Sequence, residues 1–394
     1  MNHQEYYAWV QLALTPYIGA ESFVKLIRFF GTASQVLAAP VEQIKQLVHH
    51  KQAVAEWDKN REQAKMAADA ALTWAQGEGC RLMLLNEADF PMMLAEGLTP
   101  PPLLFLRGRS ELLMRPSVAI VGSRHATPQA MRIARDFAKA LSEQGIGVVS
   151  GMASGIDTAA HQGALDGSAG TVAVWGTGID RIYPQANKQL AYQIAETGLI
   201  VSEFPLGTRP LAGNFPRRNR LIAALSQATL VVEAAVESGS LITARLAGEM
   251  GREVMAVPGS IDNPHSKGCH KLIKEGAKLV ENLEDILQEC PQLLHKTGMS
   301  SYSIYSDSVS QTSVAGENAS KQTSFQADKA AEHIGVNTEA DSVLEAMGYD
   351  PVHPDSLAGR LDLATADVYA LLLEMELLGV VAAMPGGRYQ RVRK

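Results

Sequence analysis

Two glycine-terminated apolar runs constrain this chain more than any other feature: Ser117-Val-Ala-Ile-Val-Gly-Ser-Arg124 and Gly147-Val-Val-Ser-Gly-Met-Ala-Ser-Gly-Ile-Asp157. Each is a short aliphatic run that stops at glycine and passes into helical spacing. A parallel strand feeding the N-terminus of a covering helix reads this way. Glycine admits tight backbone angles and lets an anion approach the main chain. Exposed amides and the helix dipole then favour a phosphate at the same spot. The turns lie about 30 residues apart, one strand–helix unit, which predicts two phosphate cradles side by side at the carboxyl edge of a sheet.

The alternation runs from Val118 to about Leu287. Strands are expected at Val118–Val121, Gly147–Ser150, Thr171–Trp175, Leu199–Ser202, Leu230–Glu233 and Val254–Val257, with helices such as Gln129–Gln144 and Leu221–Ser226 between them. The strands are continuous apolar runs, as when helices cover both faces. The fold class is therefore α/β, an extended Rossmann-like doubly wound sheet, over residues 79–290. Residues 1–78 carry apolar residues at helical spacing around Thr15-Pro-Tyr-Ile-Gly19. They suggest a SAM or helix-hairpin-helix-like module, which either grips a phosphate backbone through its hairpin amides or simply packs. Residues 291–338, rich in Ser and Thr and without periodicity, read as a flexible linker. Residues 339–394 read as a winged-helix domain: three helices and two short strands around Gly386-Gly387. The third helix, Ala364–Leu378, is the one that enters the major groove in such modules. Here it carries Asp367, Glu374 and Glu376 but no Lys or Arg, which favours protein contact or a weak DNA role.

The net charge of −7 argues against a protein that coats nucleic acid indiscriminately, although a local basic groove remains compatible with it. Over residues 115–290 the count is 17 Lys plus Arg against 17 Asp plus Glu, so any positive site must come from clustering. Three scattered cysteines (Cys80, Cys269, Cys290) form no metal-ligand pattern and suit a reducing cytoplasm. No apolar run is long enough for membrane insertion.

The sequence marks no catalytic residue, no metal and no cofactor. His161 follows Asp157 by one helical turn, but no nucleophile or second histidine is suitably spaced. Asp157 reads as the N-cap of a helix from Thr158, and His161 as a packed side chain. Glu203 and Glu233 end strands on the binding edge, where they serve acid–base chemistry or accept hydrogen bonds from nearby arginines; the second role is favoured.

The binding groups are more telling. Phe215-Pro-Arg-Arg-Asn-Arg220 packs Arg217, Arg218 and Arg220 with Asn219 just before a helical run. Arginine forks onto phosphate, and Phe215 offers a stacking face for an unpaired base. Ser123 and Arg124 on the first turn extend this pocket. Ser238-Gly-Ser-Leu-Ile-Thr-Ala244 is a third small-residue turn, in which the hydroxyls of Ser240 and Thr243 complete the cradle or Ser240 simply caps the helix.

Taken in order, these stretches resemble the DNA processing protein A family (DprA/Smf). The resemblance is carried by Gly122-Ser-Arg124, Ser150–Asp157 with Ala160-His161, Gly176-Thr-Gly178, Tyr183-Pro184, Ser202-Glu-Phe-Pro205, Phe215–Arg220, Ser238–Ala244, Val257-Pro-Gly259 and Gly268–Ala277. It implies a single-stranded DNA-binding recombination mediator of the bacterial cytoplasm, not an enzyme. Such a protein protects incoming DNA in natural transformation, loads RecA recombinase onto it, and forms a homodimer through the Rossmann-like domain. It further implies Arg124 as principal phosphate ligand, supported by Gly122, Ser123, Ser150, Gly151 and Gly155. Arg218, Asn219 and Arg220 would line the groove, Phe215 would border a base pocket, and Arg217 would compensate for Gln185 where some relatives carry lysine. The competing class is an enzyme of the lysine-decarboxylase-like or nucleotide phosphoribohydrolase type, which shares the core. Its usual Pro-Gly-Gly-x-Gly-Thr-x-x-Glu stretch is replaced here by Glu237-Ser-Gly-Ser-Leu-Ile-Thr-Ala244.

Overall fold

The computed structural model describes residues 1–48, 50–294, 338–384 and 387–392. The chain divides into two units, Met1–Ile304 and Tyr305–Lys394. Most of the stretch expected as a linker, residues 295–337, lies outside the described residues.

The first unit opens with helices α1 (His3–Ala13), α2 (Ala20–Phe30), α3 (Ala33–Ala38), α4 (Val41–Leu47), α5 (Lys51–Ala55) and α6 (Trp57–Trp74). Apolar side chains at helical spacing close them over a shared core, in which Trp9 meets Phe23 edge-on at 5.0 Å. The Trp9 indole donates to the Pro102 carbonyl at 2.9 Å, tying this bundle to the chain that enters the sheet.

The sheet has nine strands: β1 (Cys80–Leu84), β2 (Leu103–Gly108), β3 (Ser117–Val121), β4 (Gly147–Ser150), β5 (Thr171–Val174), β6 (Leu199–Ser202), β7 (Ala228–Val231), β8 (Glu253–Ala256) and β9 (Lys278–Leu279). Their order is β1-β2-β6-β5-β4-β3-β7-β8-β9. Strands β3 to β9 pair in parallel, and β1 and β2 extend the β6 side antiparallel. Helices α7 (Pro128–Glu143), α8 (Ile156–Leu165), α9 (Lys188–Thr197), α10 (Asn214–Ala224), α11 (Gly239–Glu249), α12 (Lys267–Lys274) and α13 (Leu283–Glu289) complete the layers. Strands β3 to β7 are wholly buried and mostly aliphatic, because helices cover them on both sides.

The chain builds outward from β3 to β6, then crosses back to place β7 on the other side of β3. A crevice opens where the direction of winding reverses, outside the carboxyl ends of β3 and β7. The turn after β3 carries Gly122, Ser123 and Arg124. Three differences from the sequence expectation bear on this region. Strands β7 and β8 start earlier than expected, at Ala228 and Glu253. The arginine run lies inside α10, not ahead of a helix. Gly155 is the N-cap of α8, which starts at Ile156, so Asp157 belongs to the first turn.

Helices α7 and α8 cross at Gly163. A Cβ there would overlap the Arg135 carbonyl oxygen and lie 2.8 Å from its carbonyl carbon. Glycine to alanine inside a helix ordinarily stabilises by about 0.5–1 kcal/mol. Here the sign reverses: Gly163→Ala lowers stability by about 1–3 kcal/mol through overpacking, read as a lower denaturant midpoint at unchanged m-value.

The second unit holds α14 (Thr338–Met347), α15 (Pro354–Leu361), α16 (Thr365–Leu377) and an antiparallel ribbon of β10 (Val381–Met384) and β11 (Arg388–Arg391). Its own core gathers Val343, Leu357, Val368, Leu372, Met375 and Val381. This is the winged-helix plan.

Candidate nucleic-acid interface

The crevice at the winding reversal is a groove of about 770 Å³. It is lined by Gly122, Ser123 and Arg124 from the turn after β3, by Phe215, Arg218 and Asn219 from α10, and by Ser240 and Thr243 from α11. Eight of the thirteen residues read from the sequence as phosphate-binding thus share one wall-to-wall space. Ser150, Gly151, Gly155, Arg217 and Arg220 are not among its lining residues.

Arg124 is exposed, and among the described residues no ion pair or hydrogen bond engages its guanidinium. That guanidinium lies 5.3 Å from the centre of the Phe215 ring. Tyr183 packs on the same ring at 5.7 Å and stays 45% exposed, so an aromatic surface remains open to the groove. Phe215 in turn leans on the turn after β5, where a Cβ at Gly176 would stand 3.0 Å from its ring. The result is a charged, planar donor beside two aromatic rings tilted 42° to one another, a combination suited to a phosphate next to an unpaired base.

The turn itself is held from below. The Ser123 amide donates to the Glu233 carbonyl at 2.6 Å, and the Ile156 amide donates to the Ser123 carbonyl at 3.1 Å. The Ser123 hydroxyl accepts from the His125 amide at 3.1 Å. Glu233 is buried and accepts from the Thr127 amide (3.0 Å), the Thr127 hydroxyl (2.9 Å) and the Asn263 side chain (3.2 Å). It therefore anchors the entry to α7 and, among the described residues, pairs with no arginine. At α11 the cap is Ser238, which accepts from the Ser240 amide at 3.3 Å, and the two hydroxyls share a 2.7 Å bond.

The remaining arginines do different work from the one the sequence suggested. Arg218 is only 4% exposed and donates to the carbonyls of Gly151 and Val174. Burial lowers its pKa to about 10, which the Asp157 carboxylate opposes and the Arg124 charge reinforces. Arg220 pairs with the buried Glu203 and donates to the Thr99 carbonyl at 3.2 Å. Arg217 approaches Glu203 at 3.3 Å and lies 5.2 Å from the Phe204 ring. Ser150 is buried and donates to the Ile120 carbonyl at 2.7 Å. The amides of Gly151 and Ala153 donate to Asp157 Oδ2 at 3.1 and 3.2 Å, so a carboxylate of the chain itself fills the expected second cradle. A charged or hydroxylated residue type shows what a side chain can bind, but not whether it is already bound.

His161 is buried, and its Nδ1 lies 2.8 Å from the Thr171 hydroxyl, which donates onward to the Val148 carbonyl at 2.8 Å. The hydroxyl proton being committed, Nδ1 carries the hydrogen. Burial, reinforced by the Arg218 charge, drives the imidazole pKa down to about 3, so the ring stays neutral. The sequence reading overlooked His265 among the groove-lining residues and cited Glu237 and Tyr183 only within motifs. Tyr183 was the most readable of these, being an aromatic beside proline in the turn after β5.

A doubly wound sheet with an arginine-and-aromatic groove at its winding reversal, on a chain that also carries a winged helix, defines a protein of the nucleic-acid-handling class. Comparison with known proteins makes this specific. The family described as DNA recombination-mediator protein A matches residues 81–291, and the DprA winged helix domain matches residues 327–387. Protein Smf of Escherichia coli (strain K12) is 33% identical over 387 residues, covering 98% of this chain and 96% of that one. DNA processing protein DprA of Streptococcus pneumoniae is 48% identical over 200 residues, 51% of this chain and 71% of that one. The X-ray structure of S. pneumoniae DprA superposes with a TM-score of 0.63 at 36% identity, covering 73% of this chain and 98% of that chain. The chain belongs to the DprA/Smf family of DNA-processing proteins.

Proposed function

We propose that the groove receives unpaired DNA and that the protein is a recombination mediator working by stoichiometric binding, without cofactor, metal or catalytic residue. It shields incoming single strands during natural transformation and loads RecA recombinase onto them in the cytoplasm, as a homodimer joined through the Rossmann-like domain. Arg124 is the observation that carries the reading: an exposed, unpaired guanidinium beside open aromatic rings. Membership in a family of DNA-processing proteins supports it. In the homodimer, the free β9 edge offers Leu279 (39% exposed) near Ile261 (73% exposed) as apolar contacts.

Salt titration of single- against double-stranded oligonucleotides tests the binding. The expected result is a preference for the single strand, with affinity falling linearly in log salt. Adding RecA should shorten the lag of filament formation on covered strands, and light scattering should give twice the chain mass. Equal affinity for duplex and single strand would remove the reading. Release of base and ribose phosphate from nucleoside monophosphates would replace it with the phosphoribohydrolase class.

A further inference from the structure

Gly151 is gripped from both sides. Its amide donates to Asp157 Oδ2 at 3.1 Å, and its carbonyl accepts from the Arg218 guanidinium. The fit is close, since a Cβ at Gly151 would lie 2.5–2.7 Å from the guanidinium atoms of Arg218. Asp157 also holds the Ala153 amide at 3.2 Å, and Arg218 reaches the Val174 carbonyl at the end of β5. Between the two held amides, Met152 adopts φ +64° and is 1% exposed. A non-glycine residue keeps a left-handed conformation only where its surroundings impose it. Asn187 adds a third hold, donating to the Met152 carbonyl at 3.0 Å. Both charged side chains are buried, Asp157 at 6% exposure and Arg218 at 4%, in the floor of a groove where Arg124 is, among the described residues, the exposed and unpaired arginine.

We infer that Asp157 and Arg218 form a clamp on Gly151, two positioning residues that fix the loop 151–155 and the Phe215 wall before any strand arrives, and that neither touches phosphate. The inference rests on the strand-binding reading of the groove and changes the role of Arg218 within it. Phe215 precedes Arg218 by three positions on α10, one helical turn, so anchoring Arg218 to β5 and to Gly151 sets the angle of the ring. Ordering the loop in the free protein spares the strand the entropy of ordering it. Both groups are needed, because removing one leaves the other buried without its counter-charge.

The salt slope separates a positioning role from a ligand role. Each phosphate contact to a single strand contributes about 0.7 to the slope of log affinity against log salt. Arg218→Gln and Asp157→Asn are each expected to weaken oligo-dT binding about ten- to a hundredfold with the slope unchanged. Amide hydrogen exchange on the full chain should show residues 151–155 unprotected in the free variants and protected again with oligo-dT bound. The double variant should lose less than the sum of the two singles, since neither charge is then left alone. A slope reduced by about 0.7 in Arg218→Gln would make Arg218 a phosphate ligand and overturn the clamp. Wild-type affinity in Asp157→Asn, or unchanged loop exchange, would overturn it as well. Arg124→Ala run in parallel guards the underlying reading: if that variant keeps full affinity and slope, the groove assignment fails, not the clamp alone.

Discussion

Arg124→Ala weakens binding of oligo-dT by about ten- to a hundredfold and lowers the salt slope by about 0.7, while the folded state keeps its stability within about 0.5 kcal/mol. These outcomes follow from one fact: the guanidinium is exposed and, among the described residues, engages only the face of Phe215, at 5.3 Å. Truncation therefore strands no buried partner, and the fold has nothing to lose. Binding loses a forked, charge-assisted contact together with the cation beside the aromatic wall. Arg124→Lys should restore the slope but only part of the affinity, because an ammonium keeps the charge without the planar fork. Fluorescence anisotropy at several salt concentrations reads both quantities. A slope unchanged in Arg124→Ala would place the phosphate elsewhere.

The sheet was legible because burial on both faces leaves an unmistakable mark, continuous aliphatic runs closed by glycine. Strands β3 to β7 are buried throughout, and glycine closes the runs of β3, β4 and β5. Strands β1 and β2 were harder to read, since they extend the sheet antiparallel from one side and carry polar residues such as Arg81 and Arg107 within their runs. The α10 segment misled for a different reason. Phe215-Pro-Arg-Arg-Asn-Arg220 looks like a loop bearing three free cations, yet proline is tolerated in the first turn of a helix. Once the run is helical, its arginines point in different directions. Arg218 turns into the protein, Arg220 turns to Glu203, and Arg217 stays half exposed over Phe204. Composition gave the charges, but only the helix phase decides which reach the groove, and that phase depends on where α10 begins. The same limit applies to the loop after β4: its glycines announce a cradle, while the carboxylate that fills it comes from Asp157, already inside the next helix.

Gly155→Ala is expected to cost about 2–5 kcal/mol of stability and to lower strand affinity at least as far as Arg124→Ala. Gly155 has φ +77° and ψ −123°, a conformation open to glycine and strained for any residue with a Cβ. That strain alone accounts for about 1–3 kcal/mol. Contact adds more, because a Cβ at Gly155 would overlap the Ser123 carbonyl oxygen and lie 2.8 Å from that of Arg124. Neither atom is the end of a flexible side chain, so the backbone itself has to move. The Ser123 carbonyl also accepts the first amide of α8, from Ile156 at 3.1 Å, and shifting it breaks that link. The two glycine turns touch at this point, and pushing them apart displaces Arg124 from Phe215 while unseating the helix below. Denaturant titration gives the stability loss, and anisotropy under fully folded conditions gives the affinity loss independently of it. A variant that keeps wild-type stability would show that the two turns are not in contact, and one that folds fully yet binds normally would show that their contact does not position Arg124.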